Sequence, residues 1–322
     1  MFGLSASARA INGMATGPTA SRGSAPACGL ALAIVALATA CRSGSDSTTI
    51  APDPPGPASS ARSAAAQASA FRDGVGVPRD EGKALSLFGD ACDGGIAKAC
   101  GDLGAMFVDG VGVSRDSSRA AALFQKACDG GDFAACARLG EMARSGEGTT
   151  KDESRGVGLL QRACRGGVGR ACTQQGNMVL AGAGVVKDSS RAEALYQMAC
   201  DLGDVDGCID LGEAYAKGEG VTQSFGEAVE LYDRACTAGA AEGCRQLGEM
   251  VSDGRGVARS PTRSLDLWSR ACDGADFVAC VELGKAYALG HGVRVDRERA
   301  AALYKKACDA GVTMGCDAFR LR

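Results

Sequence analysis

The cysteines of this chain recur with a fixed period, and this period constrains the fold more than any other feature. Fourteen of the 16 cysteines form seven pairs such as Cys92 and Cys100, with partners eight positions apart and successive pairs 36 positions apart. A Gly-x-Gly motif, a leucine and an alanine recur in the same register, and no insertion interrupts it. A constant period of this length is the signature of a solenoid, in which one supersecondary unit is stacked repeatedly.

Each 36-residue unit is predicted to contain two amphipathic helices, which we call helix A and helix B. In helix A, Cys100, Leu103 and Phe107 share one face because they lie at i, i+3 and i+7. Gly-x-Gly ends helix A, since glycine readily adopts the left-handed conformation of a C-cap. An N-cap residue then starts helix B. These N-cap residues are Asp80, Asp116, Asp152, Asp188, Ser224, Ser260 and Asp296. Because no segment alternates like a strand, we expect an all-α chain.

The repeated string Cys-x-x-Leu-Gly-x-x-Tyr-x-x-Gly-x-Gly-Val, followed by Ala-x-x-Leu-Tyr-x-x-Ala-Cys, resembles the Sel-1-like repeat, a relative of the tetratricopeptide repeat. The paired cysteines make it similar to the bacterial cysteine-rich branch, typified by the Helicobacter cysteine-rich proteins. The resemblance covers residues 61–322 and implies a right-handed α/α solenoid of antiparallel helix pairs, with about seven repeats. The sequence departs from the repeat pattern at three places. Ala64 replaces the first cysteine, and Gln175 replaces a core leucine. Near the end, Phe319 and Arg320 replace Leu-Gly.

The cysteines of each pair are expected to face each other across the turn between helix B and the next helix A. Antiparallel neighbours can bring two cysteines to the Cα separation of about 5.5 Å that a disulfide needs. Each bridge should contribute roughly 2–3 kcal/mol. Metal-binding or redox-active pairs would favour shorter spacings, so we expect no metal. The predicted disulfides are Cys92–Cys100, Cys128–Cys136, Cys164–Cys172, Cys200–Cys208, Cys236–Cys244, Cys272–Cys280 and Cys308–Cys316.

The N-terminal segment has the features of an export signal. Residues 1–40 contain two arginines and no acidic residue, and an apolar run over 29–38 is too short to span a bilayer. Small residues then precede Cys41, which resembles a bacterial lipobox. We predict a lipoprotein signal peptide over 1–40, lipidation of Cys41, a Pro/Ser-rich linker over 41–60 and the repeat solenoid over 61–322. An ordinary cleaved signal and an uncleaved anchor are the alternatives.

This signal predicts an exported monomer in the bacterial envelope, either in the outer membrane and periplasm or at the cell surface. Its contact with the membrane would be through the N-terminal lipid only. Removal of Cys28 with the signal leaves 15 cysteines (16 − 1), and lipidation of Cys41 would account for the odd one.

Composition argues against several classes of function. A single histidine, His291, excludes multi-histidine metal sites, and the net charge of −3 excludes a strongly basic nucleic-acid binder. The Ser-x-x-Lys, Ser-Asp-Asn and Lys-Thr-Gly motifs of serine β-lactamases are absent, although β-lactamase or penicillin-binding labels are common in the cysteine-rich branch. We expect no catalytic residue and no cofactor. A β-lactamase-type hydrolase and a structural envelope spacer are the alternatives.

By analogy with tetratricopeptide repeats, helix A positions that point away from the core should line a concave binding face. Their residues vary between units, as expected of a binding surface and equally of any solvated helix face. The lining has mixed charge, so it implies no simple anionic or cationic ligand. We expect a non-catalytic scaffold for a protein or peptide, or for a cell-envelope polymer. The candidate binding residues are Glu141, Arg144, Asn177, Glu213, Lys217, Glu242, Arg245, Glu249 and Lys285.

Overall fold

The computed structural model describes residues 57–320, which form fifteen helices joined by short turns, with no strand in that range. Odd-numbered helices are the A helices, even-numbered helices are the B helices, and each helix packs against the next. The predicted all-α solenoid is therefore confirmed. In chain order the helices are α1 (Pro57–Asp73), α2 (Glu81–Asp93), α3 (Ala97–Asp109), α4 (Ser117–Asp129), α5 (Phe133–Ser145), α6 (Glu153–Arg165), α7 (Gly169–Ala181), α8 (Ser189–Asp201), α9 (Val205–Lys217), α10 (Phe225–Thr237), α11 (Ala241–Asp253), α12 (Pro261–Asp273), α13 (Phe277–Leu289), α14 (Arg297–Asp309) and α15 (Thr313–Arg320).

The helical region begins earlier than the sequence predicts. Helix α1 starts at Pro57, so residues 57–60, which were assigned to the linker, are helical instead. Proline suits the first position of a helix, because its φ is already close to the helical value and it lacks the N–H that would be unpaired there. The predicted signal peptide and Cys41 lie outside the described residues. Among the helices of residues 57–320, none is both long enough and apolar enough to cross a membrane.

A glycine in five of the A helices lies against an aromatic ring of the following B helix, and Gly140 in α5 lies against a leucine instead. A Cβ placed on Gly104 would come within 2.9 Å of the Phe124 ring, and one on Gly212 within 2.8 Å of the Tyr232 ring. Real Cβ atoms essentially never approach a neighbour so closely. The absence of a side chain therefore sets the distance between the two helices of a unit, at a cost in helix propensity of roughly 1 kcal/mol.

The second glycine of each Gly-x-Gly motif makes the contact between successive units. Gly112 has a φ of 69° and Gly148 a φ of 65°, in the left-handed region. A Cβ on Gly148 would come within 3.0 Å of the backbone of Ser117, the first residue of the preceding B helix. A Cβ on Gly76, in the first unit, would have nothing within 4 Å, and no unit of the described region precedes it. The motif thus ends helix A and also allows the next repeat to stack.

Side chains cap both ends of the B helices. All seven predicted N-caps accept a hydrogen bond from the backbone N–H three residues later, for example Asp116 from Arg119 at 2.9 Å. At the other end of four B helices, a basic side chain one unit further on donates to a carbonyl of the last turn. Arg162 donates to the carbonyl of Cys128 at 2.7 Å. A cation at a helix C-terminus also interacts favourably with the helix dipole.

Disulfides join each B helix to the following A helix, across the turn between units. In the seven expected pairs the Cα atoms are 4.4–4.8 Å apart, within the usual range for a disulfide. Every junction between successive repeats in the described region is therefore covalently closed. Disulfides persist in oxidising compartments, so seven of them indicate an extracytoplasmic location.

Gln175 interrupts the core of α7. It occupies the position of Leu139 in α5 and Leu211 in α9, and it is 1% exposed. Neither its amide nitrogen nor its amide oxygen has a hydrogen-bond partner. A buried polar group without a partner retains its full cost of desolvation, about 1–3 kcal/mol.

Replacing Gln175 with leucine should therefore stabilise the protein by about 1–3 kcal/mol, because the unsatisfied amide is removed. The measurement is the urea midpoint of the oxidised protein, followed by circular dichroism. Leu211→Gln, the reverse exchange at the equivalent position one repeat later, is the matched control and should lower the midpoint. An unchanged or lower midpoint for Gln175→Leu would contradict this interpretation of the core.

Candidate functional site

Three adjoining cavities lie along the A helices α5, α7, α9 and α11 and form one groove, which we call the A-helix groove. Their volumes are about 330, 370 and 180 Å³. The first and second cavities share Arg170 and Gln174, and the second and third share Asn177 and Asp210. Because neighbouring cavities share lining residues, a single extended ligand can occupy more than one of them.

Most of the predicted binding residues line this groove. Two of them belong to the first cavity and the others to the second and third. The six residues are Glu141, Arg144, Asn177, Glu213, Lys217 and Glu242. Within α9, Glu213 and Lys217 form an i,i+4 ion pair.

Lys285 lies elsewhere, in a cavity of about 530 Å³ beside α12 and α13. Trp268 and His291 also line that cavity. The Lys285 ammonium donates to Glu282 Oε1 at 2.7 Å, so its charge is paired within its own helix. The structure thus separates Lys285 from the six groove residues.

Arg245 and Glu249 belong to an ion-pair network outside these cavities. Arg245 is only 16% exposed in its side chain, and its guanidinium contacts three carboxylates. Its Nε lies 2.8 Å from Asp276 Oδ2, its Nη1 2.8 Å from Glu249 Oε1 and its Nη2 3.1 Å from Glu242 Oε1. Since Asp276 is the N-cap of α13, this network links α11 to the next A helix. Its geometry is that of a structural junction.

The first cavity is lined by three arginines and three carboxylates, and two of the arginines have no ion-pair partner. Arg144 and Arg170 are exposed and line it, and neither forms an ion pair with any residue in the described range. Arg138 lies 3.9 Å from Glu141 Oε2, a weak contact on an exposed surface. This part of the groove can therefore offer two guanidinium groups to an anionic group of a ligand.

The second cavity has an acidic character. Asp206, Asp210 and Glu242 line it. Burial, together with the nearby carboxylates of Glu213, Asp206 and Glu242, raises the pKa of Asp210 from its usual 3.8 to about 6. A hydrogen bond with Asn177 opposes this shift. At neutral pH, Asp210 is thus an ionised, half-buried carboxylate whose neighbours are mostly of the same charge.

Asp206, Asp210 and Arg170 were missed in the sequence analysis, although the period contains the signal. Asp206 lies 36 positions before Glu242, and Arg170 lies 36 positions before Asp206. Applying the repeat register to Glu242 would have found both. Asp210 is different, because its significance comes from burial, which the sequence does not show at a variable surface position.

Asp210→Asn should stabilise the protein, and the stabilisation should be larger at neutral pH than at acidic pH. Because the folded-state pKa of Asp210 is raised, the folded protein holds its proton more tightly than the unfolded chain, so stability decreases as pH rises from about 4 through about 6. The variant has no carboxylate at position 210, so its stability does not decrease in this way as pH rises. We expect its melting temperature to exceed that of the wild type at about pH 7.5, with a smaller difference at about pH 4.5.

Asp266 is an exposed residue of α12 outside the groove, and Asp266→Asn is the matched control, because it also removes one carboxylate. An equal difference between Asp210→Asn and wild type at both pH values would contradict the raised pKa.

Two solved structures of other proteins share the architecture of this chain. The chain is similar to a protective antigen of uropathogenic Escherichia coli with an SLR fold, at 26% identity and a TM-score of 0.74, covering 80% of this chain and 56% of that one. It is similar to a Sel1 repeat protein from Oxalobacter formigenes at 25% identity and a TM-score of 0.70, covering 81% and 75%. Helicobacter pylori cysteine-rich protein B is 27% identical over 41% of this chain and 94% of its own, with a TM-score of 0.34.

Comparison with family models gives a more direct assignment. No curated protein is similar enough to the chain to count as a match. The Sel1 repeat model, however, matches seven successive segments, each of which contains one A helix and one B helix. These segments are 61–96, 97–132, 133–168, 170–204, 205–239, 241–276 and 278–312. Because the matched repeats cover most of the sequence and coincide with its helix pairs, the chain belongs to the Sel1 repeat family.

Proposed function

We propose that this protein is a non-catalytic scaffold that binds a protein or peptide segment in the A-helix groove. The observation that carries the proposal is the groove itself, which crosses successive repeats and is lined by charges with no partner in the described chain, such as Arg144, Arg170 and Asp206. Sel1 repeats generally mediate interactions between proteins, which supports the same conclusion.

The location of the scaffold is part of this proposal. Seven disulfides require an oxidising compartment for their formation. We propose that residues 1–40 direct export, that Cys41 carries the lipid anchor, and that the following Pro- and Ser-rich segment holds the repeats away from the envelope membrane as a monomer. In this arrangement the groove can capture an envelope protein.

A photo-crosslinking amino acid at Gln174, in the centre of the groove, should crosslink to a binding partner in intact cells. The full chain carries p-benzoylphenylalanine at this position, and the products are identified by mass spectrometry. Glu230, an exposed residue of α10 outside the groove, is the matched control position. We expect a discrete partner band from Gln174 and none from Glu230.

Charge reversal then tests whether the groove is responsible. The substitutions Arg144→Glu and Arg170→Glu are combined in the chain that carries the crosslinking amino acid at position 174. They should reduce the crosslinked band by at least about tenfold, because both unpaired cations are lost. A band of equal strength from Glu230, or one that survives the charge reversal, would exclude the groove as the binding site.

Cys41→Ala should release the protein from the membrane fraction. A lipid anchor on a cysteine adds about 0.8 kcal/mol of membrane affinity for each buried CH₂ group, and no other anchor is proposed here. Fractionation and metabolic labelling with an alkyne fatty acid provide the measurement. Cys28→Ala is the matched control and should keep both the label and the membrane association. Persistent labelling of Cys41→Ala would show that the anchor lies elsewhere.

A further inference from the structure

A cavity of about 530 Å³ lies between the sixth and seventh repeats, apart from the A-helix groove. It is bounded by α11, α12 and α13 and by the turns that follow α11 and α13. None of its lining residues also lines the groove, and its volume exceeds that of each groove cavity. This volume is within the range usual for sites that hold a small molecule.

One wall of this cavity is apolar. Trp268 and Ala286 line it and are buried, so they form its inner end, whereas Leu289 is 64% exposed and lies at its mouth. Pro261 completes the wall. The hydroxyl of Ser264, also in the lining, donates to the carbonyl of Pro261 at 2.9 Å and is therefore satisfied within the fold. Such a wall favours a ligand with an apolar body, because the contact removes apolar surface from water.

Leu289 is an exception to the repeat pattern. It is the last residue of its A helix, where the other six A helices of the repeats end in a polar, charged or small residue. Because most of its side chain is exposed, Leu289 buries little surface within the fold, so core packing does not account for it. Contact with an apolar ligand in the cavity would account for it. The equivalent residues are Asp73, Asp109, Ser145, Ala181, Lys217 and Asp253.

The charged side chains of the lining leave one positive charge without a partner. Glu282 and Lys285 lie 2.7 Å apart and neutralise each other. The Arg259 Nε donates to the carbonyl of Ser252 at 2.9 Å, which holds the guanidinium beside the cavity. Its two Nη groups have no partner within the described residues. A guanidinium in this state can donate two parallel hydrogen bonds to a carboxylate.

We propose that this cavity binds a small amphipathic anion, which consists of a single carboxylate on an apolar body. The carboxylate binds the Arg259 guanidinium, and the apolar body lies against Trp268 and Leu289. One unpaired cation argues for one negative charge, because further charges of a polyanion would be desolvated without a partner. The site is separate from the A-helix groove, so this inference does not depend on peptide binding there.

Trp268 makes the cavity directly observable, because it is the only tryptophan of the full chain. The oxidised full chain is titrated at neutral pH with decanoate, decanol and decyltrimethylammonium, each below its micelle-forming concentration. These probes share one apolar chain and differ in the charge of the head group. We expect a saturable change in Trp268 emission with decanoate, a dissociation constant at least about fivefold higher for decanol, and no saturation with the cation. Isothermal titration calorimetry of the same samples detects any binding that leaves the emission unchanged.

The repeat itself supplies a substitution at Arg259 that the fold accepts. Gln223 occupies the equivalent position one repeat earlier, and its Nε2 donates to the carbonyl of Ala216 at 2.8 Å. This contact is equivalent to the one between Arg259 and Ser252, so Arg259→Gln should keep the turn and lose the charge. We expect decanoate to bind this variant at least about fivefold more weakly, with an affinity close to that of decanol.

A second variant tests the apolar wall. Leu289→Asp introduces the residue that ends three other A helices of the chain. It should weaken decanoate binding by at least about tenfold, because it removes an apolar contact and adds a charge of the same sign as the ligand. Arg115→Gln, at the position equivalent to Arg259 in the second repeat, is the matched control and should change the affinity by less than about twofold.

Three results would overturn the inference. Failure of decanoate to bind by both emission and calorimetry would refute the site. Equal affinities of the wild type for decanoate and decanol would refute its selection of an anion. An Arg259→Gln variant that still prefers decanoate would show that Arg259 does not bind the carboxylate. Each result leaves the crosslinking test of the groove unaffected, so the two proposals fail or stand separately.

Discussion

The rest of this structure depends on glycines at which one helix or turn comes so close to a neighbouring helix that no side chain would fit between them. Gly104 and its counterparts allow the A helix of five units to touch an aromatic ring of its B helix, and Gly148 and its counterparts allow each turn from the second unit onward to touch the preceding B helix. Both contacts exclude a Cβ atom. Because an insertion would displace these glycines from their partners, the 36-residue register is kept throughout the chain.

Each junction between repeats combines a short covalent link with local polar contacts. The disulfide joins a B helix to the next A helix, and a basic side chain such as Arg162 connects successive B helices through the carbonyl of Cys128. Stability in such a chain is a sum of terms from single repeats and from neighbouring interfaces. The outward positions of the A helices take little part in these terms, so their side chains are free to serve binding.

The sequence predicts the helices, their N-caps and the cysteine pairing because these depend on residues close together in the chain. It does not predict contacts between units. Arg245 looks like a free surface charge in the sequence, yet Asp276, 31 positions later, engages it in the structure. The stacking role of Gly148 and the burial of Asp210 were missed for the same reason, since each depends on an element of a neighbouring repeat.

Two local features oppose folding, one in the core and one in the groove, and their positions are informative. Gln175 is a buried amide without a partner in α7, and Asp210 is a half-buried carboxylate among others in α9. Seven disulfides and the glycine contacts give the solenoid enough stability to tolerate such costs locally. Departures from local rules are expected at functional sites, where selection acts on something other than stability. Gln175 faces the core, so it has no such explanation, whereas Asp210 lines a cavity that a cationic ligand group could enter. Of the two, only Asp210 therefore indicates a binding role.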